Sequence, residues 1–191
     1  MRCFVMLLLL ATALAAWELS WDDKQIAGGN ETVDASAVAV LFCDSAEGGP
    51  GDTGGRPGCV SAFTAKLQGS FWFNPPVISL YERDGDNPGA VIAEDIDYYY
   101  TYNYDWYIFS IPEPVRVPGD FFAVIELPDS MKMYDDATHT WAYPHSRIYD
   151  GGQWAEWETD LRLRVWWEPS AVGNSRVEEG SWGAIKIALH R

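Results

Sequence analysis

The chain is 191 residues long, the size of one ordinary domain. It carries 28 Asp and Glu against 13 Lys and Arg, a net charge of −15 at pH 7, and the basic residues are scattered. So acidic a surface repels nucleic acid and anionic membranes, which excludes nucleic-acid binding, and reads first as a solubility device, with cation binding as the sharper alternative.

The first residues, "MRCFVMLLLLATALAAWELSW", place Arg2 before an apolar run over residues 3–16, with Ala13-Leu14-Ala15 as a small-x-small cleavage pattern. This predicts a secretory signal peptide over 1–15 and a secreted or cell-surface protein. The apolar run is shorter than the about 20 residues a spanning helix needs, and no membrane span is expected after cleavage. Cys3 leaves with the signal. Cys43 and Cys59 remain, an even pair in an exported chain, and predict one disulfide. Between them lie six glycines and two prolines, a loop whose closure by a crosslink would contribute on the order of 3 kcal/mol.

Helix signals are almost absent, and strand signals follow one another. Glu18 to Trp21 reads as a first strand. In "VDASAVAVLFC", Val33, Ala35, Ala37 and Ala39 would share one face. In "CVSAFTAKLQG", Ser61, Phe63, Ala65 and Leu67 form the apolar, inward set. "VISLYERD" is a strand ended by the turn "DGDNPG". "SRIYDGGQWAEW" is a hairpin with Asp150-Gly151-Gly152 at its tip. In "DLRLRVWWE", Leu161, Leu163, Val165 and Trp167 face one way, Arg162, Arg164 and Trp166 the other. Many short strands joined by Gly/Pro turns predict an all-β, antiparallel β-sandwich, jelly-roll-like, over residues 17–169. Residues 170–191 read as a polar linker and a short tail, "SWGAIKIALHR".

The most unusual stretch is "DYYYTYNYDWYIF" at 97–109. A single strand of that length is uncommon, so a turn near 102–105 and a hairpin with aromatic arms are expected. Tyr98, Tyr100, Tyr102 and Tyr104 would share one face, and Tyr99, Thr101, Asn103 and Asp105 the other. The second arm is core, and the four alternating tyrosines are the candidate binding face. Trp154 and Trp157, with Trp141 and Tyr143, join them as aromatics placed in turns or loops. Exposed rings stack on the apolar faces of sugars while nearby polar groups orient them. Strand cores use the same residues, which is the competing reading.

The pieces "WELSWDD", "PGDFFAVIEL" and "SRIYDGGQWAEW" with "DLRLRVWWE" resemble bacterial extracellular β-sandwich modules of jelly-roll, galactose-binding-like or carbohydrate-binding-module-like type. Such modules are appended to secreted peptidases and cell-surface proteins and commonly carry no catalytic residues. The resemblance spans residues 18–168. It implies a non-catalytic module that binds a polysaccharide or a surface protein. The tail resembles short C-terminal tails of some exported proteins, which implies export, surface retention or assembly.

The chemistry-bearing residues are sparse. No Gly-x-Ser-x-Gly, His-Glu-x-x-His or phosphate loop is present. His139 and His145 lie six apart in a loop-like stretch, and His190 sits in the tail, so neither a triad nor a closed metal site is expected. In "DGDNPGAVIAED", Asp84 and Asp86 fit the first and third positions of a calcium loop, but Pro88 stands where a ligand is required. This predicts a hairpin turn, with Asp84 and Asp86, or Asp22 and Asp23, as the places for a structural calcium ion. No other cofactor is expected. Asn30-Glu31-Thr32 matches a glycosylation acceptor, which the bacterial look makes incidental. The rival classes are a structural or surface-retention protein without a small ligand, and a secreted hydrolase, for which paired carboxylates among 28 acids are weak support.

Overall fold

Apolar and β-branched residues alternate through most of the chain, and most of the described backbone is extended. The computed structural model describes residues 17–20, 32–44, 49, 51–69, 74–103, 106–136 and 145–170. Among these described residues fourteen strands are formed: β1 Trp17–Ser20, β2 Thr32–Val33, β3 Ala37–Phe42, β4 Gly58–Gln68, β5 Val77–Asp84, β6 Asn87–Ala93, β7 Tyr99–Asn103, β8 Trp106–Val117, β9 Phe121–Glu126, β10 Lys132–Asp136, β11 Ser146–Asp150, β12 Gln153–Trp157, β13 Asp160–Leu161 and β14 Leu163–Pro169. Helices are absent among the described residues.

The strands form two antiparallel sheets. In the first, β1, β14, β4, β8 and β7 lie side by side. This sheet curls where β10 pairs with the end of β4, with β2 and with β13. The second has the order β12-β11-β3-β9-β5-β6. Reading β1-β14-β4-β8 against β3-β9-β5-β6, the chain changes sheet at nearly every connection. That interleaving is the jelly-roll form of a β-sandwich, with β10–β13 inserted between β9 and β14.

The core lies between the sheets and is built in rows across the strands. Leu19, Val165, Phe63 and Phe109 stand opposite one another on β1, β14, β4 and β8, and none is more than 3% exposed. The inward set expected for residues 160–168 holds, with Leu161 on β13 and Leu163, Val165 and Trp167 on β14 all fully buried, but Arg162, expected on the opposite side, is buried as well. On β4 the inward set is right for Phe63, Ala65 and Leu67 and wrong for Ser61. A register shift between Val60 and Ala62 resets the phase, so Val60 is the buried residue instead.

One expected face does not exist. Val33 pairs with Met133 in the first sheet, whereas Ala37 and Ala39 belong to β3 in the second. The chain changes sheets at residues 34–36, so no single period runs through them. Every residue of β3 is buried. The tip of the β5–β6 hairpin reaches across to β11, where the buried Arg147 donates its Nε to the Asp86 carbonyl at 2.6 Å.

The expected Cys43–Cys59 disulfide is not formed: both are free thiols. Cys59 lies on β4 beside Arg116, Glu168 and Ser170. Cys43 follows β3 in the other sheet, among Asp120, Arg83, Asp52 and Asp44. The described part of the glycine-rich loop is held by backbone instead. Thr53 N donates to the Cys43 carbonyl at 3.2 Å, and Asp44 N to Asp120 Oδ1 at 3.1 Å. Asp120 is in turn paired with Arg83 at 3.3 Å.

Candidate functional site

Strands β7 and β8 form the expected aromatic hairpin, with residues 104 and 105 between them. Tyr104 lies outside the described residues. The pairing sets Tyr100 opposite Phe109 and Tyr102 opposite Tyr107. Residues directly opposite in an antiparallel pair project to the same face. Phe109 and Tyr107 are core residues, so the tyrosine face continues the core rows outward to the sheet edge. Tyr98 is the most enclosed of the three, with its ring edge-on to Phe109 and its hydroxyl donating to the Pro76 carbonyl. Burial pushes its phenol up to about 12. Tyr102 leans on Tyr107 with ring centroids 4.8 Å apart, and Tyr107 donates its hydroxyl to the Gly69 carbonyl. Beyond this support the edge rings reach solvent: Tyr100 is 46% and Tyr102 57% exposed.

Tyr99 points the other way and is 75% exposed, the most exposed large apolar side chain among those described. It begins a row across the outer face of the sheet: Tyr99, Ser110, Ala62, Trp166 and Glu18 stand opposite one another on β7, β8, β4, β14 and β1. Two aromatics thus flank two small residues. Three inter-strand steps separate them by about 14 Å. Trp166 is held in place by its indole N–H, which donates to Thr64 Oγ1 at 3.3 Å. Next to it, the Arg164 guanidinium sits 4.2 Å over the Trp106 ring and 3.0 Å from Glu18 Oε1. The outer face therefore presents rings and hydroxyls around an arginine already paired with a carboxylate.

Comparison with known protein families, with curated proteins and with solved structures finds no match to this chain. The site must be judged by its own chemistry.

The remaining candidates fall elsewhere. Trp154 and Trp157 are not in loops: both lie on β12 and pack partly buried against the core, Trp154 edge-on to Tyr149 at 5.2 Å. Being three apart on a strand, they project to opposite faces and form no joint platform. Trp141, Tyr143, His139, His190, Asp22 and Asp23 lie outside the described residues. His145 is not an exposed loop residue but is 2% exposed. Its carbonyl accepts from Leu41 N at 2.9 Å. A buried polar group that sequence reasoning missed lies around Asp135. There Thr159 donates to Asp135 Oδ2 at 2.8 Å and Arg162 to the Asp135 carbonyl at 3.1 Å. Asp136 stands opposite Asp160, both buried.

Asp84 pairs with Asn87 across a hairpin turn at Gly85–Asp86, so Asp86 lies within the turn, where Gly85 takes φ +58°. Asp86 faces Arg83 at 3.8 Å. Among the described residues, no group of three His, Cys, Asp or Glu is placed to hold a metal ion. A shallow cleft of about 240 Å³ opens between residues 34–36, 127–131 and 149–151; its Asp34 is bound to Lys132 at 2.8 Å.

Proposed function

We propose that this is an exported, non-catalytic binding module that holds a neutral polysaccharide at the cell surface through its aromatic β7 edge. The observation that carries the reading is the concentration of exposed rings there. Among the described residues, Tyr99, Tyr100 and Tyr102 are three of six exposed large apolar side chains, and Trp166 shares the Tyr99 row. Rings fixed on a sheet and interspersed with Ser and Thr hydroxyls suit the mixed apolar and polar faces of a sugar chain. The net charge of −15 disfavours polyanionic glycans. The signal-peptide pattern supports export, and the absence of a recognisable catalytic motif in the sequence supports a binding role over hydrolysis. A structural calcium ion stays a proposal for Asp22 and Asp23 or for Asp84 and Asp86.

The test is retention of the mature protein on cellulose, chitin, xylan, mannan and mixed-linkage glucan, with alginate as the anionic control. Retention on at least one neutral polymer, lost in a Tyr99→Ala, Tyr102→Ala double variant that still unfolds cooperatively, is the expected result. A folded protein retained by none of them rules the reading out in favour of a structural or surface-assembly role.

A further inference from the structure

An aspartate followed by glycine can rearrange without an enzyme, because glycine has no side chain to keep its amide nitrogen from the carboxyl group behind it. The sequence holds two such pairs, Asp84-Gly85 and Asp150-Gly151. Both stand at exposed hairpin tips with the glycine at positive φ, +58° at Gly85 and +56° at Gly151. The tertiary structure treats them differently. At the first tip, Arg83 donates its Nε to the Gly85 carbonyl at 2.7 Å and is itself held by Asp120 at 3.3 Å. Arg147 holds the next carbonyl, that of Asp86. Gly89 lies against the Asp84 side chain, where a Cβ would come within 2.7 Å of the Asp84 Cβ. The second tip has no such clamp. Among the described residues, neither the Asp150 carboxylate nor the Gly151 N–H has a hydrogen-bond partner.

We infer that Asp150 is a site of spontaneous isoaspartate formation in the folded protein, and that the fold protects Asp84 from the same reaction. Asp150 ends β11 and pairs with Gln153, and extended backbone there holds Gly151 N away from the carboxyl group, so the tip must open first. Opening it breaks one pairing at the end of a hairpin. Opening the tip at Gly85 breaks two hydrogen bonds from arginine as well. In the opened tip the Gly151 nitrogen bonds to Asp150 Cγ and gives up its hydrogen, and the carboxyl hydroxyl leaves with that hydrogen as water. Water then adds to the five-membered imide. Addition at Cγ restores aspartate. Addition at the main-chain carbonyl of Asp150 breaks its bond to Gly151 N and leaves the chain running through Cγ, with a free α-carboxylate as the new side group. The backbone gains one methylene, which breaks the register of Asp150 with Gln153 and reshapes the cleft that Asp150 and Gly151 line with residues 34–36. Tyr99 and Trp166 stand on the other sheet, so the inference does not depend on the polysaccharide reading.

The test is ageing of the mature protein in warm neutral buffer, followed by peptide mapping. Electron-transfer fragmentation separates isoaspartate from aspartate, and an endoproteinase that cuts before aspartate skips the isomer. The expected result is isoaspartate accumulating at Asp150 about tenfold or more faster than at Asp84, through an intermediate one water lighter than the chain. In protein unfolded by urea the two pairs should react at similar rates, which assigns the difference to the fold. Arg83→Ala should raise the rate at Asp84 several-fold. Asp150→Glu, whose longer side chain would need a six-membered ring, should abolish conversion at that position and leave the thermal midpoint unchanged. Equal rates at the two pairs in the folded protein overturn the inference, as does conversion at Asp150 that appears only after unfolding.

Discussion

Tyr98 lies edge-on to Phe109, with ring centroids 5.0 Å apart and planes at 78°, and its hydroxyl donates to the Pro76 carbonyl at 2.6 Å. It anchors the start of the aromatic hairpin rather than offering a ligand surface. Tyr98→Phe should keep the ring contact, lose the hydrogen bond and cost about 1 kcal/mol in urea unfolding. The phenol is raised from the usual 10 to about 12, chiefly by burial. A raised acid favours the protonated folded state, so this stabilisation is whole below pH 10. It is lost as pH rises from about 10 to about 12. Absorbance-detected titration of wild type against Tyr98→Phe checks it: the late-ionising tyrosine should vanish in the variant.

The two thiols give a second prediction. Burial, with Asp120 next, raises Cys43 to about 11, and burial raises Cys59 as well. Thiolate is the reactive form, so both react slowly at neutral pH. Cys59 is the more exposed and should be alkylated first, with Cys43 modified only on unfolding. Intact mass after native alkylation reads this directly; a Cys43–Cys59 crosslink in the purified protein would contradict the free-thiol structure.

Gly119 sits against Gly55, where a Cβ would meet the Gly55 carbonyl group at 2.5 Å. Backbone meets backbone there, so no side chain can swing aside. Gly119→Ala should push the docked loop from the β8–β9 turn and cost about 1–3 kcal/mol. Faster proteolysis within residues 49–57 should accompany the drop in thermal midpoint.

Trp167 is fully buried, and Trp17 packs on it at 6.2 Å. Trp167→Ala should cost about 3–5 kcal/mol, enough to unfold a marginal domain. Trp167→Phe should be milder, because the indole N–H has no hydrogen-bond partner among the described residues. Paired denaturant curves separate the two.

Much of this was legible in the residues. The period-two pattern of "DLRLRVWWE" placed four buried side chains correctly: Leu161 on β13, which pairs with β10, and three on β14, which lies between β1 and β4. The hairpin at 146–157 was readable from its Gly-Gly turn. The direction of the tyrosine face was also within reach. The pairing of β7 with β8 sets Tyr102 against Tyr107 and Tyr100 against Phe109, so a core second arm implies a core-side first arm. What misled was treating each arm alone. Trp154 and Trp157 looked like loop residues because the place of β12 against the core depends on the long-range pairing of its hairpin partner β11 with β3.

By itself, the sequence determined the secondary structure class, the turns and the acidic charge, because alternation, glycine, proline and ionisable groups act locally. Only the tertiary structure decided which residues meet. It sent Cys43 and Cys59 to different sheets, reset the phase of β4 at Val60, buried both faces of β3, and left β7 at an edge with Tyr99 outward. Those outcomes depend on strand order and register, which are set by contacts between residues far apart in the chain.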